Sequence, residues 1–444
     1  MARRVHRREF LRQSVAAGLS LPLVAPAIGR AAAPGEALRV GCIGTGGMGR
    51  ADLTRVSKSP KVRIVALCDI DERNLGSAAS EFPDARKYTD WRKLLEDKDV
   101  DAVTVSTPDH THAPATMTAL RLKKHVYCQK PLTHSVHEAR QIRLAAGEAG
   151  TVTQMGIQVH SSAEYRQLVE VIRSGAIGKV REAHAWSDRP LWPQGAGVGR
   201  PDRKDAVPEH IHWDTWLGVA PERPFVESVY HQSNWRGWLD FGTGAQGDMG
   251  CHIMDPVVWS LKLGAPASIL SDGPAPNDET YSSWSTIHYV FPGTELTRGE
   301  TIEVTWYDGG KKPPRELAPL VEGQELPGNG SLFIGEKGAL LSTHGGASLL
   351  LPEKDFKDHE LPKVDARDHW IQWVDACLGA GEVSAPFDYS GPLTETVLLG
   401  NLAMRFPGKK LRWRSEALRF DDAPEADRFL RRAYRKGWEI EGLS

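Results

Sequence analysis

The sequence has few cysteines, almost no net charge and, after residue 33, no apolar run long enough to cross a bilayer. A formal net charge of −2 over 444 residues gives no reason to expect nucleic acid as a partner. Two of the five cysteines fall in strands that we predict to be buried, so we expect no disulfide framework. The cysteines are Cys42, Cys68, Cys128, Cys251 and Cys377.

Compact metal-ligand spacing is missing as well. The segments Asp109-His110-x-His112 and Glu209-His210-x-His212 contain suitable side chains, and Asp255 lies one turn beyond His252. None of these groups has the four-ligand spacing of a structural zinc site. We therefore expect no metal site, and we expect His110, His210 and His212 to be surface or loop residues.

The N-terminal 33 residues are predicted to be an export signal. His6-Arg7-Arg8-Glu9-Phe10-Leu11-Arg12 resembles a twin-arginine signal, from which it departs at His6 and Arg12. The apolar segment Val15–Ile28 contains two prolines and is too short for a membrane span, so no stable membrane insertion is expected. We expect a periplasmic or otherwise exported protein, cleaved near Ala33, because such signals are addresses read by a receptor. The alternative is a disordered basic N-terminus.

The stretch Leu38–Gly49 predicts a strand followed by a dinucleotide-binding turn. Gly44-Thr45-Gly46-Gly47-Met48-Gly49 matches G-x-G-x-x-G, in which the glycines permit a tight turn and close approach of a pyrophosphate to the next helix. A second predicted strand, 62–68, ends at Asp69, where a ribose-binding carboxylate is expected. A carboxylate there repels a 2′-phosphate, so the sequence favours NAD over NADP. The alternative is a plain strand–turn–helix.

Strands and helices alternate between residues 37 and 158, which is typical of an α/β fold with a doubly wound parallel sheet. Helices are expected at 71–80, 91–96, 114–122 and 136–149. Ligands collect at the carboxyl ends of such strands. The loops at Gly44, Asp69, Thr107, Lys130 and Gln158 should therefore converge on one crevice.

Three ordered motifs resemble the glucose–fructose oxidoreductase / inositol dehydrogenase / MocA family. They are Thr107-Pro108-x-x-x-His112, Gln129-Lys130-Pro131, and the glycine-rich approach Gly242–Gly247 to Asp248 and His252. The usual second motif is Glu-Lys-Pro, so Gln129 is a departure, while the lysine is kept at Lys130.

This resemblance implies a Rossmann domain over 37–158 and an α+β domain with a mainly antiparallel open sheet over 159–404. It further implies a homo-oligomer formed through the C-terminal sheet. Beyond the resemblance, we expect residues 405–444 to form a tail that packs back on the body.

The resemblance also implies that Lys130, Asp248 and His252 are catalytic. Asp248 and His252 are four residues apart, so on a helix they share one face. A histidine beside a carboxylate can act as a general base, and a lysine can stabilise an oxygen that becomes a carbonyl. The alternatives are a solvated loop lysine, a helix cap and a satisfied histidine. The predicted cofactor contacts are Gly44, Thr45, Gly46, Gly47, Met48, Gly49, Asp69, Thr107, Pro108, His112, Gln129, Lys130 and Gln158.

A long irregular insertion, residues 188–242, is rich in tryptophan, and loops of this length are usually functional. Its indole rings suit sugar faces, although they could equally pin the loop to the sheet. Trp235 and Arg236 are predicted to contact substrate, together with Lys130, Asp248 and His252, because they lie near Asp248 in sequence. The tryptophans of the insertion are Trp192, Trp213, Trp216, Trp235 and Trp238.

The remaining chain predicts a strand-rich half with helices at its end. Strands are expected at 179–187, 281–291, 301–307, 332–335, 339–343 and 348–351. Helices are expected at 163–174, 366–378, 393–404 and 425–435.

The sequence as a whole favours an exported NAD(P)-dependent oxidoreductase, with NADP less expected than NAD, acting on a secondary hydroxyl of a sugar, polyol or glycoside. Outside the cytoplasm, such an enzyme would have to hold and recycle its cofactor. One alternative is an NAD-dependent glycosidase or lyase that works by oxidation, elimination and reduction. A second is a secreted sugar- or nucleotide-binding protein without turnover.

Overall fold

The computed structural model describes residues 37–444, so the export signal predicted for residues 1–33 lies outside the described residues. The strands are β1 Leu38–Ile43, β2 Val62–Cys68, β3 Arg86–Tyr88, β4 Ala102–Val105, β5 His125–Gln129, β6 Thr153–Gly156, β7 Val180–Trp186, β8 Ser268–Asp272, β9 Thr286–Pro292, β10 Thr301–Tyr307, β11 Gly330–Gly335, β12 Ala339–Thr343, β13 Ser348–Leu351, β14 Leu411–Arg414 and β15 Arg419–Phe420.

The α-helices are α1 Gly47–Val56, α2 Glu72–Glu81, α3 Trp91–Glu96, α4 Asp109–Arg121, α5 Val136–Ala149, α6 Ala163–Arg173, α7 Trp213–Leu217, α8 Gly244–Ile253, α9 Asp255–Leu261, α10 Glu353–Phe356, α11 His369–Cys377 and α12 Phe387–Ala403. Among residues 37–444, no helix is long and apolar enough to cross a membrane.

The first six strands form a parallel sheet in the order β3-β2-β1-β4-β5-β6. This is the strand order of a doubly wound nucleotide-binding sheet, and its order reverses next to β1. Strands β4 and β5 are buried along their whole length, because helices cover both faces of the sheet. The doubly wound fold predicted for this half is confirmed, and its ligand crevice is expected beyond the carboxyl ends of β1 and β4.

The other nine strands form a second sheet in the order β13-β12-β11-β7-β10-β9-β8-β14-β15. All of its pairs are antiparallel except β7 with β10, where Val304 lies opposite Ala183. Buried and half-buried residues alternate along β9, so one face of this sheet packs on helices while the other is more open. The mainly antiparallel second sheet is confirmed.

Two helices late in the chain join the halves. Helix α11 packs Trp373, Val374 and Cys377 into the same apolar cluster as Leu38 and Val40 of β1. In α12, Glu395 pairs at 2.7 Å with Arg140 of α5. A domain boundary at residue 158 therefore does not separate two hydrophobic cores, because α11, which follows it, packs into the core of the first sheet.

Several boundaries differ from the sequence expectation, and proline explains two of them. Helix α4 begins at Asp109 and α12 at Phe387, before the predicted starts at 114 and 393, and each contains an internal proline, Pro114 and Pro392. A proline within the first turns of a helix loses few hydrogen bonds. The predicted helix 425–435 is a short 3-10 turn, Pro424–Phe429, followed by irregular chain. Strands β3, β8, β14 and β15 were not predicted from the sequence.

Candidate active site

A cavity of about 740 Å³ lies where the strand ends of the first sheet face the tryptophan-rich insertion. Its walls contain most of the predicted site residues from both halves of the chain. Three predicted cofactor residues, Thr45, Gly49 and Gln158, do not line it; the Gln158 amide donates to the Tyr127 hydroxyl at 3.2 Å. The predicted residues that line the cavity are Gly44, Gly46, Gly47, Met48, Asp69, Thr107, Pro108, His112, Gln129, Lys130, Trp235, Arg236, Asp248 and His252.

The glycine turn at the cavity floor requires glycine at two positions. Gly44 has a φ of +86°, and a Cβ there would lie 2.3 Å from the Ser106 carbonyl oxygen. A Cβ at Gly49 would lie 2.3 Å from the carbonyl oxygen of Gly44. The first glycine thus permits the turn, and the second permits α1 to pack closely on it.

Asp69 stands at the end of β2 and lines the cavity beside this turn. Its Oδ2 accepts hydrogen bonds from the Thr45 backbone N–H at 2.8 Å and from the Thr45 hydroxyl at 3.1 Å. Its Oδ1 accepts from the Asp71 N–H at 2.9 Å. A carboxylate has about four acceptor positions, so the fixed Asp69 can still accept ribose hydroxyls. The turn and the acid fit NAD.

Gln129, the departure from the family tripeptide, lies against a buried carboxylate. Its amide nitrogen is 3.1 and 2.8 Å from the two oxygens of Asp52 in α1. Asp52 also accepts hydrogen bonds from the Ser106 hydroxyl at 2.7 Å and the Trp370 indole at 2.9 Å. Burial raises the pKa of Asp52 to about 6, opposed by these three donors. An amide at position 129 therefore supplies a donor where a glutamate would bring a second charge.

Lys130 and Asp248 form an ion pair that joins the two halves of the chain. Lys130 follows β5, and its Nζ donates to the Asp248 backbone oxygen at 2.6 Å and to Asp248 Oδ1 at 2.8 Å. An ammonium group has three N–H donors, so one remains for a substrate oxygen. Only 14% of the lysine side chain and 12% of the aspartate side chain are exposed.

Two arginines of the insertion also lie against Asp248. Arg236 Nε is 3.3 Å from Oδ1, and Arg189 Nε is 3.5 Å from Oδ2. Burial alone would raise the pKa of Asp248, but Lys130 and then Arg236 lower it to about 2. Asp248 is therefore ionised at any working pH. Arg189 was not predicted, because nothing in its local sequence marks it.

His252 lines the same cavity from α8, one turn after Asp248. Burial, followed by the neighbouring charge of Lys130, lowers its pKa well below the ordinary histidine value, so the imidazole is neutral. Its Nδ1 is buried and has no hydrogen-bond partner among residues 37–444. Within the described residues, Asp248 makes no hydrogen bond to His252, because its oxygens serve the three cations. The sequence predicts that Asp248 orients His252, but in the structure it does not.

The start of α8 is fixed by buried hydrogen bonds. The Thr243 hydroxyl donates to Asp109 Oδ2 at 2.5 Å, and the Asn401 amide donates to the Thr243 carbonyl at 2.6 Å. Burial raises the pKa of Asp109 to about 7, with Thr243 opposing. These contacts tie α4 and α12 to the helix that carries Asp248 and His252. The sequence alone does not predict these contacts, because the partners lie 134 and 158 positions apart in the chain.

The histidines that suggested a metal have other roles. His112 places its ring nitrogens 2.7 Å from the carbonyl oxygens of Pro131 and Thr107, and burial lowers its pKa to about 4. The expectation that His110 is a surface or loop residue is wrong: it is fully buried in α4, between Trp216 and Phe241. Within residues 37–444, no three His, Cys, Asp or Glu side chains are grouped to hold a metal.

Most tryptophans of the insertion form an apolar cluster with Phe225, Tyr230 and Phe241. Trp213 and Trp238 are buried in it away from the cavity, whereas Trp192, Trp216 and Trp235 reach the cavity wall. The rings therefore both pin the loop and line the site.

Both halves of the chain match domains of a known protein family. Residues 38–157 match an oxidoreductase family with an NAD-binding Rossmann fold, and residues 185–305 match its C-terminal alpha/beta domain. The expected cofactor class, NAD, is confirmed at the level of this domain.

Individual relatives are similar over about a third of the chain. The inositol 2-dehydrogenase of Rubrobacter xylanophilus is 35% identical over 145 residues, or 32% of this chain and 42% of that protein. The 1,5-anhydro-D-fructose reductase of Ensifer adhaerens is 31% identical over 171 residues, or 38% of this chain and 51% of that protein. The chain thus spans about half the length, or less, of these curated relatives.

Solved structures are similar over most of the chain. A myo-inositol dehydrogenase from Lactobacillus casei, solved with NAD(H) and myo-inositol, covers 85% of this chain and 97% of its own. Its TM-score is 0.56 and its sequence identity is 19%, so this likeness concerns the fold.

Proposed function

Because the chain belongs to this oxidoreductase family, with its NAD-binding Rossmann domain and C-terminal alpha/beta domain, we propose that it oxidises or reduces a secondary hydroxyl of a sugar, polyol or glycoside with NAD. The observation that carries the proposal is the ion pair between Lys130 and Asp248, which closes the two halves over a cavity floored by the glycine turn. The names of the relatives, an inositol dehydrogenase and an anhydrofructose reductase, support this substrate class.

In the proposed reaction, one residue of the cavity acts as a cation that stabilises the substrate oxygen, and another acts as the base. Bound NAD supplies the hydride acceptor. Lys130 uses its third N–H to hold the substrate oxygen and stabilises the charge that develops on it. Asp248 keeps the ammonium in place through two hydrogen bonds. His252, neutral because its pKa is lowered, accepts the hydroxyl proton.

The substitution Lys130→Met tests this assignment. We expect NAD binding, measured by fluorescence titration, to be kept, and oxidation of myo-inositol or another polyol to fall by about 100-fold or more. Lys262→Met is the matched control, because Lys262 is an exposed lysine paired with Glu295 at 2.7 Å and does not line the cavity. A chain that binds no NAD, or a variant as active as the native protein, would contradict the proposal. NAD binding without turnover of any sugar would favour a binding protein.

We further propose that the protein is exported by the twin-arginine route, retains and recycles its cofactor, and forms a homo-oligomer through the open face of the second sheet. The Arg7-Arg8 motif and the half-buried positions of β9 support these proposals. Replacing Arg7 and Arg8 with lysine should leave the uncleaved protein in the cytoplasm. Denaturing the purified exported protein should release NAD detectable by mass spectrometry, and light scattering should give a mass above one chain.

A further inference from the structure

The substrate end of the cavity carries more positive than negative charge. Lys130, Arg189 and Arg236 converge on the single carboxylate of Asp248. One further acid pairs with this group: Asp188 lies 2.6 Å from Arg189, and 47% of its side chain is exposed. Three cations thus face two carboxylates, one of them at the solvent.

The other titratable groups around this cluster do not supply the missing negative charge. Burial raises the pKa of Asp109 to about 7, so much of it is protonated near neutrality. Burial also lowers the pKa of His252 and of His344, so both rings are neutral. A surplus of about one positive charge therefore remains in a half-buried site, where leaving it uncompensated is unfavourable.

The two arginines have unused donors. Arg236 uses Nε on Asp248 and Nη1 on the Ser233 carbonyl, and Arg189 uses Nη1 on Asp188. Within residues 37–444, neither Nη2 atom makes a hydrogen bond to the protein. The side chain of Arg189 is 24% exposed and that of Arg236 is 30% exposed, and both line the cavity.

Two indole rings lie close to one of these guanidiniums. Arg236 Cζ lies 4.3 Å from the Trp235 ring centre and 5.9 Å from that of Trp192. A guanidinium with free N–H groups is suited to bind a planar carboxylate or a phosphate through paired hydrogen bonds. The neighbouring indoles offer an apolar surface for a sugar ring.

On the basis of the oxidoreductase function above, we propose that the substrate is an acidic sugar whose carboxylate or phosphate group is bound by Arg189 and Arg236. Both arginines belong to the insertion, residues 188–242, so this segment selects the substrate. Lys130 and His252 then act on a hydroxyl of the same sugar.

The test compares neutral and acidic forms of the same sugars on the NAD-saturated protein. The probes are D-glucose, D-glucuronate and D-glucose 6-phosphate, with D-galactose, D-galacturonate and D-galactose 6-phosphate as a second set. Calorimetry measures affinity, and NADH absorbance measures kcat/KM. We expect at least one acid to bind about 10-fold or more tightly than its neutral parent, because hydrogen bonds between charged groups contribute that much. Added salt should reduce this preference.

Variants locate the anion site. Arg189→Gln should lower the preference for the acid by about 10-fold to 100-fold, and Arg189→Lys should restore part of it. Arg203→Gln is the matched control, because Arg203 belongs to the same insertion, is 61% exposed and does not line the cavity. It should leave the preference unchanged. A preference for glucuronate or galacturonate identifies a carboxylate, and one for the phosphates identifies a phosphate ester.

Three outcomes overturn the inference. In the first, no acid in either set binds more tightly than its parent although NAD binds; the oxidoreductase function then survives if neutral sugars are oxidised. In the second, Arg189→Gln leaves the acid preference intact. In the third, Arg189→Gln weakens NAD binding as much as acid binding, so that the arginine serves the cofactor. Failure to bind NAD at all would instead refute the proposed function.

Discussion

Replacing Gln129 with glutamate would restore the usual family tripeptide and place two buried carboxyl groups in contact. The amide nitrogen now lies 2.8 to 3.1 Å from the Asp52 oxygens. Two charges at about 3 Å repel by about 5 kcal/mol at an effective dielectric constant of about 20. If the new glutamate stays protonated in the folded protein, the repulsion is avoided, but keeping the proton costs about 3.7 kcal/mol at pH 7 for a group with an ordinary pKa of about 4.3. Protonation is the cheaper route, so the free energy of unfolding should fall by about 3 to 4 kcal/mol.

The pH dependence makes this prediction specific. The folded variant would hold a proton that the unfolded chain releases, so its stability must decrease as pH rises. The loss of unfolding free energy should shrink to about 1 kcal/mol at pH 5, because protonation costs about 1.4 kcal/mol less for each pH unit by which the pH is lowered. Urea unfolding followed by tryptophan fluorescence at pH 5 and pH 7 measures both values.

Two further variants control the comparison. Gln167→Glu loses an amide donor to the Pro362 carbonyl at 2.8 Å, but within the described part of the chain Gln167 is hydrogen-bonded to no carboxylate, so its loss should not depend on pH in this way. The double variant Asp52→Asn with Gln129→Glu exchanges amide and carboxylate and should recover most of the stability. An equal loss at both pH values, or a double variant no more stable than the single one, would refute the reasoning.

Other predictions concern the remaining site acids and the histidine. Since the pKa of His252 is lowered by burial and by the Lys130 charge, kcat/KM between pH 5 and 9 should show no decline centred near 6.5; such a decline would contradict a neutral base. Asp69→Ser should lower the Kd for NADP relative to NAD by about 10-fold or more in fluorescence titrations, because a repulsive carboxylate is removed. Asp109→Asn should flatten the loss of stability between about pH 4 and 7 in urea unfolding, because burial raises the pKa of Asp109 to about 7 and the folded protein binds the extra proton.

The elements that sequence analysis predicted well are those with a local signature. The glycine turn and Asp69 are fixed by backbone conformation and by spacing along one strand–helix–strand unit, and both lie where expected. Helical spacing also placed Asp248 and His252 on α8, next to the cavity. Spacing alone could not show which partner the Asp248 carboxylate would choose. Lys130, 118 positions away, takes it.

The contacts that the sequence did not predict join residues far apart in the chain. Gln129 and Asp52 are 77 positions apart, and Trp370 and Asp52 are 318 apart. A single sequence contains no signal for such pairs, since each residue alone is an ordinary polar side chain. The start of α4 differs for another reason: the helix begins at Asp109, five residues before the predicted start at Pro114, and tolerates that proline near its N-terminus.

The hydrogen bond from Trp370 to Asp52 limits where this protein can be cut to build chimeras with other proteins. One of the three donors that hold the buried acid beneath the nucleotide turn comes from a helix encoded more than three hundred codons downstream. A chimera made with a single crossover at residue 158 would leave that acid short of a donor and expose the apolar groove that Trp373 fills. Grafting the nucleotide-binding half onto a foreign catalytic partner therefore needs two crossovers, so that α11 travels with it.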